Sequence, residues 1–176
     1  MIPPGRAGPE LREALLEVGY DPDLADSEAV AREVYCAVVD VLGHHVLPMG
    51  SHRERQRLMG RRLVQGFAGQ PAGRVVYGGL RNLGPDRAVS RLPGSLRFGV
   101  TGMSIQVEPL GLRKWRVRLS GSSSAMGEFF CGSLVEMLAQ VGAPDARATI
   151  ESQSGGSTSV LLSWEDLGPK PFVDAE

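Results

Sequence analysis

The hydrophobic positions of this chain fall into two regimes. Up to about residue 95 they recur every three or four residues, the period of a helix with one buried face; from about residue 100 they alternate, the period of a strand with one wet face. In the first regime Leu11, Leu15 and Val18 predict a short helix stopped by Gly19. Ser27 is placed to cap a second helix carrying Val30, Val34, Val38 and Val41, with Gly43 and Pro48 bracketing its end. Ser51 opens a third helix that runs to about Phe67, with Leu58, Met59, Leu63 and Phe67 as its apolar stripe and arginines on the other face. Pro71 and Pro85 sit where a first helical turn tolerates proline and start a fourth and a fifth helix. Gly73, Gly78 and Gly79 inside the fourth mark close packing or a break.

In the second regime Ile105 and Val107, then Trp115, Val117 and Leu119, alternate with polar residues and predict a hairpin turning around Pro109 to Gly111. A helix follows, capped by one of the serines at 122–124 and stopped by Gly142, with Phe130, Leu134, Met137, Leu138 and Val141 facing inward. A second hairpin pairs Ala146, Ala148 and Ile150 with Val160, Leu162 and Trp164 across SQSGGS. The expected fold is therefore α+β: an N-terminal half of four to five helices packed with a ββαββ antiparallel-sheet half. One domain over residues 11–166 is expected, between a disordered tail at 1–10 and a loose tail at 167–176.

A length of 176 residues suffices for a sizeable core without staples. Aromatic residues make up only 6% of the chain, which argues against a stacking platform for bases. The net charge of −1 hides an uneven distribution: residues 1–50 carry −6, residues 51–100 carry +8 and residues 101–176 carry −3. The ten arginines of the middle segment offer a surface for phosphate or carboxylate, or they pair with the acidic N-terminal segment within the fold. Nucleic acid is not the expected partner, because the apolar face of the arginine helix must be buried. Cys36 and Cys131 are far apart and form neither a CxxC pair nor a zinc-finger spacing, as in a cytosolic thiol protein. No apolar run reaches the roughly 18 residues of a membrane span, and the N-terminus lacks the order of a signal peptide. A cytoplasmic location is expected.

Candidate chemistry is sparse. His44 and His45 are adjacent, so on a helix they point about 100° apart and cannot chelate one metal together; helix-end histidines more simply meet the last carbonyls. Both cysteines sit in apolar stretches, where a thiol acts as a small hydrophobe. The serine-rich run at 120–127 offers hydroxyls at a helix start, where they cap a helix or hold an anion. No nucleophile elbow, phosphate-binding loop, dinucleotide fingerprint or zinc-protease motif occurs. The chain reads as a binding module with no catalytic or metal site.

The blocks LREALLEVGYDPD, HHVLP, LMGRRLVQGFAGQPAGRVVYGGLRNLGPDRAVSRLPGSLRFG, GSLVEMLAQVGAPDARATIE and VLLSWED resemble a myxobacterial protein family of unknown function that occurs as many paralogues. The resemblance runs from Leu11 to Asp166. The helical half followed by ββαββ also resembles, more distantly, the superfamily of vinyl-reductase-like sensors, haem nitric-oxide sensors and TRAPP trafficking subunits. That resemblance implies a ligand held between helices and sheet, and a homodimer formed through the helices. Vinyl-reductase-like members carry metal-binding cysteines near the chain end, where this sequence has none. The haem sensors use a histidine and, some thirty residues on, a Tyr-x-Ser-x-Arg motif; His45, Tyr77 and Arg81 match in part, with Gly79 in place of the serine. No cofactor is expected, and haem stands as the alternative.

The reading is a non-catalytic intracellular sensor or adaptor. A small apolar or amphipathic ligand would sit between the second helix and the sheet, walled by Tyr35, Phe67, Trp115 and Phe130, with Arg61 or Arg81 at its acidic end. Alternatively these residues are core, and the arginine face or an open sheet edge recruits a protein partner. An apolar pocket above roughly 300 Å³ favours the first, and an exposed apolar patch favours the second.

Overall fold

A computed structural model describes residues 8–23, 31–95, 103–121 and 126–165. The helices are α1 (Pro9–Glu17), α2 (Arg32–Val46), α3 (His52–Gly69), α4 (Pro71–Leu83), α5 (Pro85–Ser90), α6 (Leu92–Ser95) and α7 (Gly127–Gln140). The strands are β1 (Ser104–Gly111), β2 (Lys114–Ser120), β3 (Arg147–Ser154) and β4 (Ser157–Ser163). The helical half and the ββαββ half follow in the order the two periodicities predict, and the fold is α+β. Ser27, Val30, the serines at 122–124 and both terminal tails beyond residues 8 and 165 lie outside the described residues.

The two hairpins join through β2 and β4 into one antiparallel sheet of order β1-β2-β4-β3. Its inner face is set by the pairs Ile105 with Leu119, Val117 with Val160, and Ala148 with Leu162, all apolar, as the alternation requires. On the open face Arg116 lies opposite Glu108 and reaches Glu108 at 3.0 Å and Glu151 at 2.7 Å, so one guanidinium ties three strands together. The first hairpin turns at Leu112 and Arg113, just beyond the Pro109–Gly111 stretch expected to turn, and Arg113 takes a left-handed φ of 55°. Pro109 is accommodated inside β1 because β1 is an edge strand with a register shift beside it. Gly155 and Gly156, both at positive φ, make the second turn.

Several helix expectations shift. α1 starts at Pro9, and α2 runs through Gly43 to Val46. The fifth segment breaks at Arg91 into α5 and α6. α3 is capped as expected: the Ser51 hydroxyl accepts from the Glu54 amide, and the Glu54 carboxylate accepts from the Ser51 amide at 2.8 Å.

The stripe of α3 is the main correction. Its buried residues are Gln56, Gly60 and Val64, whereas Leu63 and Phe67 are exposed. The reason is α7, which α3 contacts more extensively than any other pair of elements touch. The two helices meet backbone to backbone: a Cβ on Gly60 would lie 2.0 Å from the Phe129 carbonyl oxygen, and one on Gly132 would lie 2.1 Å from that of Arg57. Only glycines permit this approach, so the contact face follows the small residues and not the largest apolar ones. Gly73 likewise packs against the Phe67 carbonyl at the α3–α4 turn, while Gly78 and Gly79 stand clear of other atoms.

α7 is thus the central element, covered by α3 on one side and by the sheet on another. Leu138 and Cys131 are fully buried in the main core with Val117, Val160 and Leu162. A smaller cluster of Leu11, Leu15 and Val38 joins α1 to α2. No helix among the described residues is long and apolar enough to cross a membrane.

Candidate functional site

Where α7 leaves the sheet to meet α3, side chains do not fill the space between them. A half-open cavity of about 220 Å³ remains, bounded by Val64 and the partly exposed Leu63 of α3, Tyr77 of α4, Ile105 and Leu119 of the sheet, and Leu134 and Met137 of α7. Tyr35 of α2 and the Phe129–Phe130 pair close one end, the rings of Tyr35 and Phe129 meeting edge to face at 6.1 Å. Among the described residues no charged side chain lines the cavity. Its volume falls short of the roughly 300 Å³ set above for the ligand reading, and the exposed Val75 and Val76 meet the criterion of the docking reading; it still exceeds the roughly 150 Å³ of an apolar cavity that holds benzene.

Of the pocket residues chosen from the sequence, Tyr35 and Phe130 line this cavity. Phe67 stands outside it and packs edge to face on Tyr77 at 6.1 Å. Trp115 does not line it: its indole N–H donates to Asp86 at 2.8 Å and ties β2 to α5. Arg61 is exposed, and Arg81 donates to the Gln140 carbonyl at the end of α7. The aliphatic lining of Val64, Ile105, Leu119, Leu134 and Met137 was legible only as core, since one periodicity describes a filled interior and a hollow one alike.

The tyrosines are desolvated. Burial pushes the Tyr35 phenol up to about 12, and burial, with Glu136 second, raises that of Tyr77. Neither hydroxyl has a hydrogen-bond partner among the described residues. The Ser133 hydroxyl in the same wall is already committed, donating to the Phe129 carbonyl at 3.0 Å.

Polar chemistry concentrates at a separate junction. Glu128, in the first turn of α7, accepts from Arg53 at 3.1 Å and from Arg57 at 2.5 Å, and Arg57 also reaches the Ala148 carbonyl of β3 at 3.1 Å. These two arginines therefore pair with α7 and not with the acidic N-terminal segment, whose Asp40 is met by Gln56 at 2.7 Å and by His52 at 3.4 Å. The sequence carried no signal for this junction, because Arg57 and Glu128 lie 71 positions apart.

Cys131 is inaccessible, and burial drives its thiol up to about 11, with Arg57 opposing and Glu128 adding to the shift. The neutral thiol is the form that the fold stabilises. That contribution is complete below the ordinary thiol value near 8.5 and is lost as pH rises through about 11. Urea unfolding of the wild type is expected to show stability falling between about pH 9 and 11, and Cys131→Ala to flatten that fall. An unchanged slope in the variant assigns the fall to other groups.

The pattern of the family described as "Protein of unknown function (DUF2378)" matches residues 4–165. The chain belongs to this family. No curated protein matches it. In fold it is similar to H-NOX structures. These include the Fe(II) unliganded protein from K. algicida (12% identity, TM-score 0.61, covering 93% of this chain and 91% of that one) and a mutant of the protein from T. tengcongensis (12%, 0.60, 89% and 87%). A third is an oxygen-binding H-NOX domain related to soluble guanylate cyclases (14%, 0.61, 89% and 85%). At such identities the likeness is one of fold.

Haem distortion in the H-NOX family is the subject of another similar structure, which makes haem the group to test here. The residues do not fit it. Tyr77 lines the apolar cavity, His45 borders a different hollow between α1 and α2 beside Glu10 and Val41, and Arg81 borders neither. None of the chain's three histidines, all of them described, lines the apolar cavity.

Proposed function

We propose that residues 11–166 act as one non-catalytic sensor domain whose small ligand occupies the cavity between α3, α4, α7 and the sheet. The observation that carries this reading is a mostly apolar hollow of about 220 Å³ at the crossing of the central helix and its covering helix, with no charge on its lining among the described residues. A ligand there touches α7, α3 and the sheet together, so its arrival changes the packing on which the outer helices rest. The similarity of the fold to H-NOX domains, one of them named as oxygen-binding, supports a sensor role. A cytoplasmic location belongs to the same proposal.

The test is native mass spectrometry with an absorbance spectrum on protein purified from its own cells. A stoichiometric adduct of low mass that is lost on denaturation supports the proposal. A haem absorption band lost in His45→Ala replaces it with the haem reading. A protein that carries no adduct and takes up no small molecule offered to it overturns the proposal.

One observation favours a second reading, docking of another protein. Val75 is 77% exposed and Val76 46% exposed on one side of α4, and Leu63 and Phe67 are exposed on α3. The occupant proposed for this face is a second copy of the chain, giving a homodimer through the helices. Light scattering that reports a dimer in the wild type and a monomer in Val75→Glu supports it, and a monomeric wild type overturns it.

A further inference from the structure

The ligand's chemistry can be narrowed beyond its size. We infer that the cavity selects a small neutral molecule carrying a hydrogen-bond acceptor, such as a monocyclic aromatic or short-chain carbonyl compound, and that Tyr35 and Tyr77 are the donors that recognise it. The inference rests on the cavity being the ligand site.

Two observations carry it. The first is the absence of charge on the lining among the described residues, which holds only aliphatic, aromatic and thioether groups, two phenols and one serine. A carboxylate or ammonium entering there would lose its hydration with nothing to replace it, a cost that selects neutral molecules. The second is the state of the polar atoms. Ser133 is occupied by helix carbonyls at 3.0 and 3.3 Å, which leaves the two phenols as the groups able to offer a hydrogen bond to a guest. Tyrosine hydroxyls in an apolar wall ordinarily find a partner, and here two half-buried tyrosines from different helices, α2 and α4, border one cavity with no hydrogen bond to either hydroxyl among the described residues. Both phenols are protonated at neutral pH, as any tyrosine is, and burial raises them further, so both are able to donate. A ligand acceptor would complete both, which an aliphatic guest of the same shape would not.

Three probes separate the possibilities: acetophenone, ethylbenzene as its acceptor-free counterpart, and benzoate as its charged one. Each is titrated into the full chain, and the methyl resonances of Val64, Ile105, Leu119 and Leu134 are followed by NMR. Acetophenone is expected to bind about five- to tenfold more tightly than ethylbenzene, the worth of roughly one hydrogen bond. That advantage should vanish in the double variant Tyr35→Phe, Tyr77→Phe, while ethylbenzene binding persists and shows that the variant is folded. Equal binding of the two neutral probes in the wild type overturns the donor assignment and leaves the cavity reading standing. Preferred binding of benzoate overturns the neutrality. No methyl shift with any probe overturns both the inference and the cavity on which it rests.

Discussion

Replacing Gly60 by alanine is expected to destabilise the fold by about 3 kcal/mol, the upper end of the usual cost of overpacking. The sign is opposite to that of an ordinary helical glycine, where alanine gains about 1 kcal/mol. At position 60 the new methyl group would lie 2.0 Å from the Phe129 carbonyl oxygen and 2.8 Å from the Ser133 nitrogen, both backbone atoms of the central helix. Neither can turn aside as a side chain does, so α3 and α7 must separate, and the packing around the Gly60–Gly132 contact loosens with them. Gly66 supplies the control: it lies on the same helix, a methyl group there would meet nothing within 4 Å, and Gly66→Ala should stabilise by roughly 0.5–1 kcal/mol. Urea unfolding of the two variants decides the matter. Equal midpoints would show that the helices do not meet backbone to backbone.

Four residues further along α3, a far larger addition should be tolerated. Val64 is 8% exposed and borders the cavity, so the ring of Val64→Phe has empty space to enter. The expected result is an unfolding midpoint within about 1 kcal/mol of the wild type, because filling the hollow offsets the strain of a larger side chain. Acetophenone binding should fall at least tenfold, since the ring takes the ligand's place. A stable variant with undiminished binding puts the ligand elsewhere. A variant as unstable as Gly60→Ala means that the space beside Val64 is already filled. The contrast between one carbon at position 60 and a ring at position 64 measures directly how unevenly the α3–α7 contact is packed.

The architecture was legible because burial imposes its period on the chain. A strand with one wet face must alternate, so Ile105, Val117, Leu119, Ala148, Val160 and Leu162 announced the inner face of the sheet before any pairing was known. Capping chemistry is equally local: Ser51 alone marked the start of α3, and the structure adds Glu54 as its reciprocal partner. The face of α3 was misread for a reason that is also physical. Leu63 and Phe67 are the larger hydrophobes, but a contact between two helix backbones is governed by what is absent from Gly60 and Gly132, and the meaning of a missing side chain depends on its partner.

The candidate site divides in the same way. Tyr35 and Phe130 stood out in the sequence as aromatic residues on apolar faces, and both border the cavity. Trp115 stood out equally, yet its indole is held by Asp86 outside the cavity. Arg57, Glu128 and Ala148 come from three elements that only the fold brings together. By itself the sequence determined the order of helices and strands, the inner face of the sheet and the cap of α3, because each follows from neighbours a few positions apart. The tertiary structure alone decided which face of α3 is buried, where the arginines find their carboxylate and where the interior stays hollow. Those depend on the distance between elements, which no single element's pattern contains.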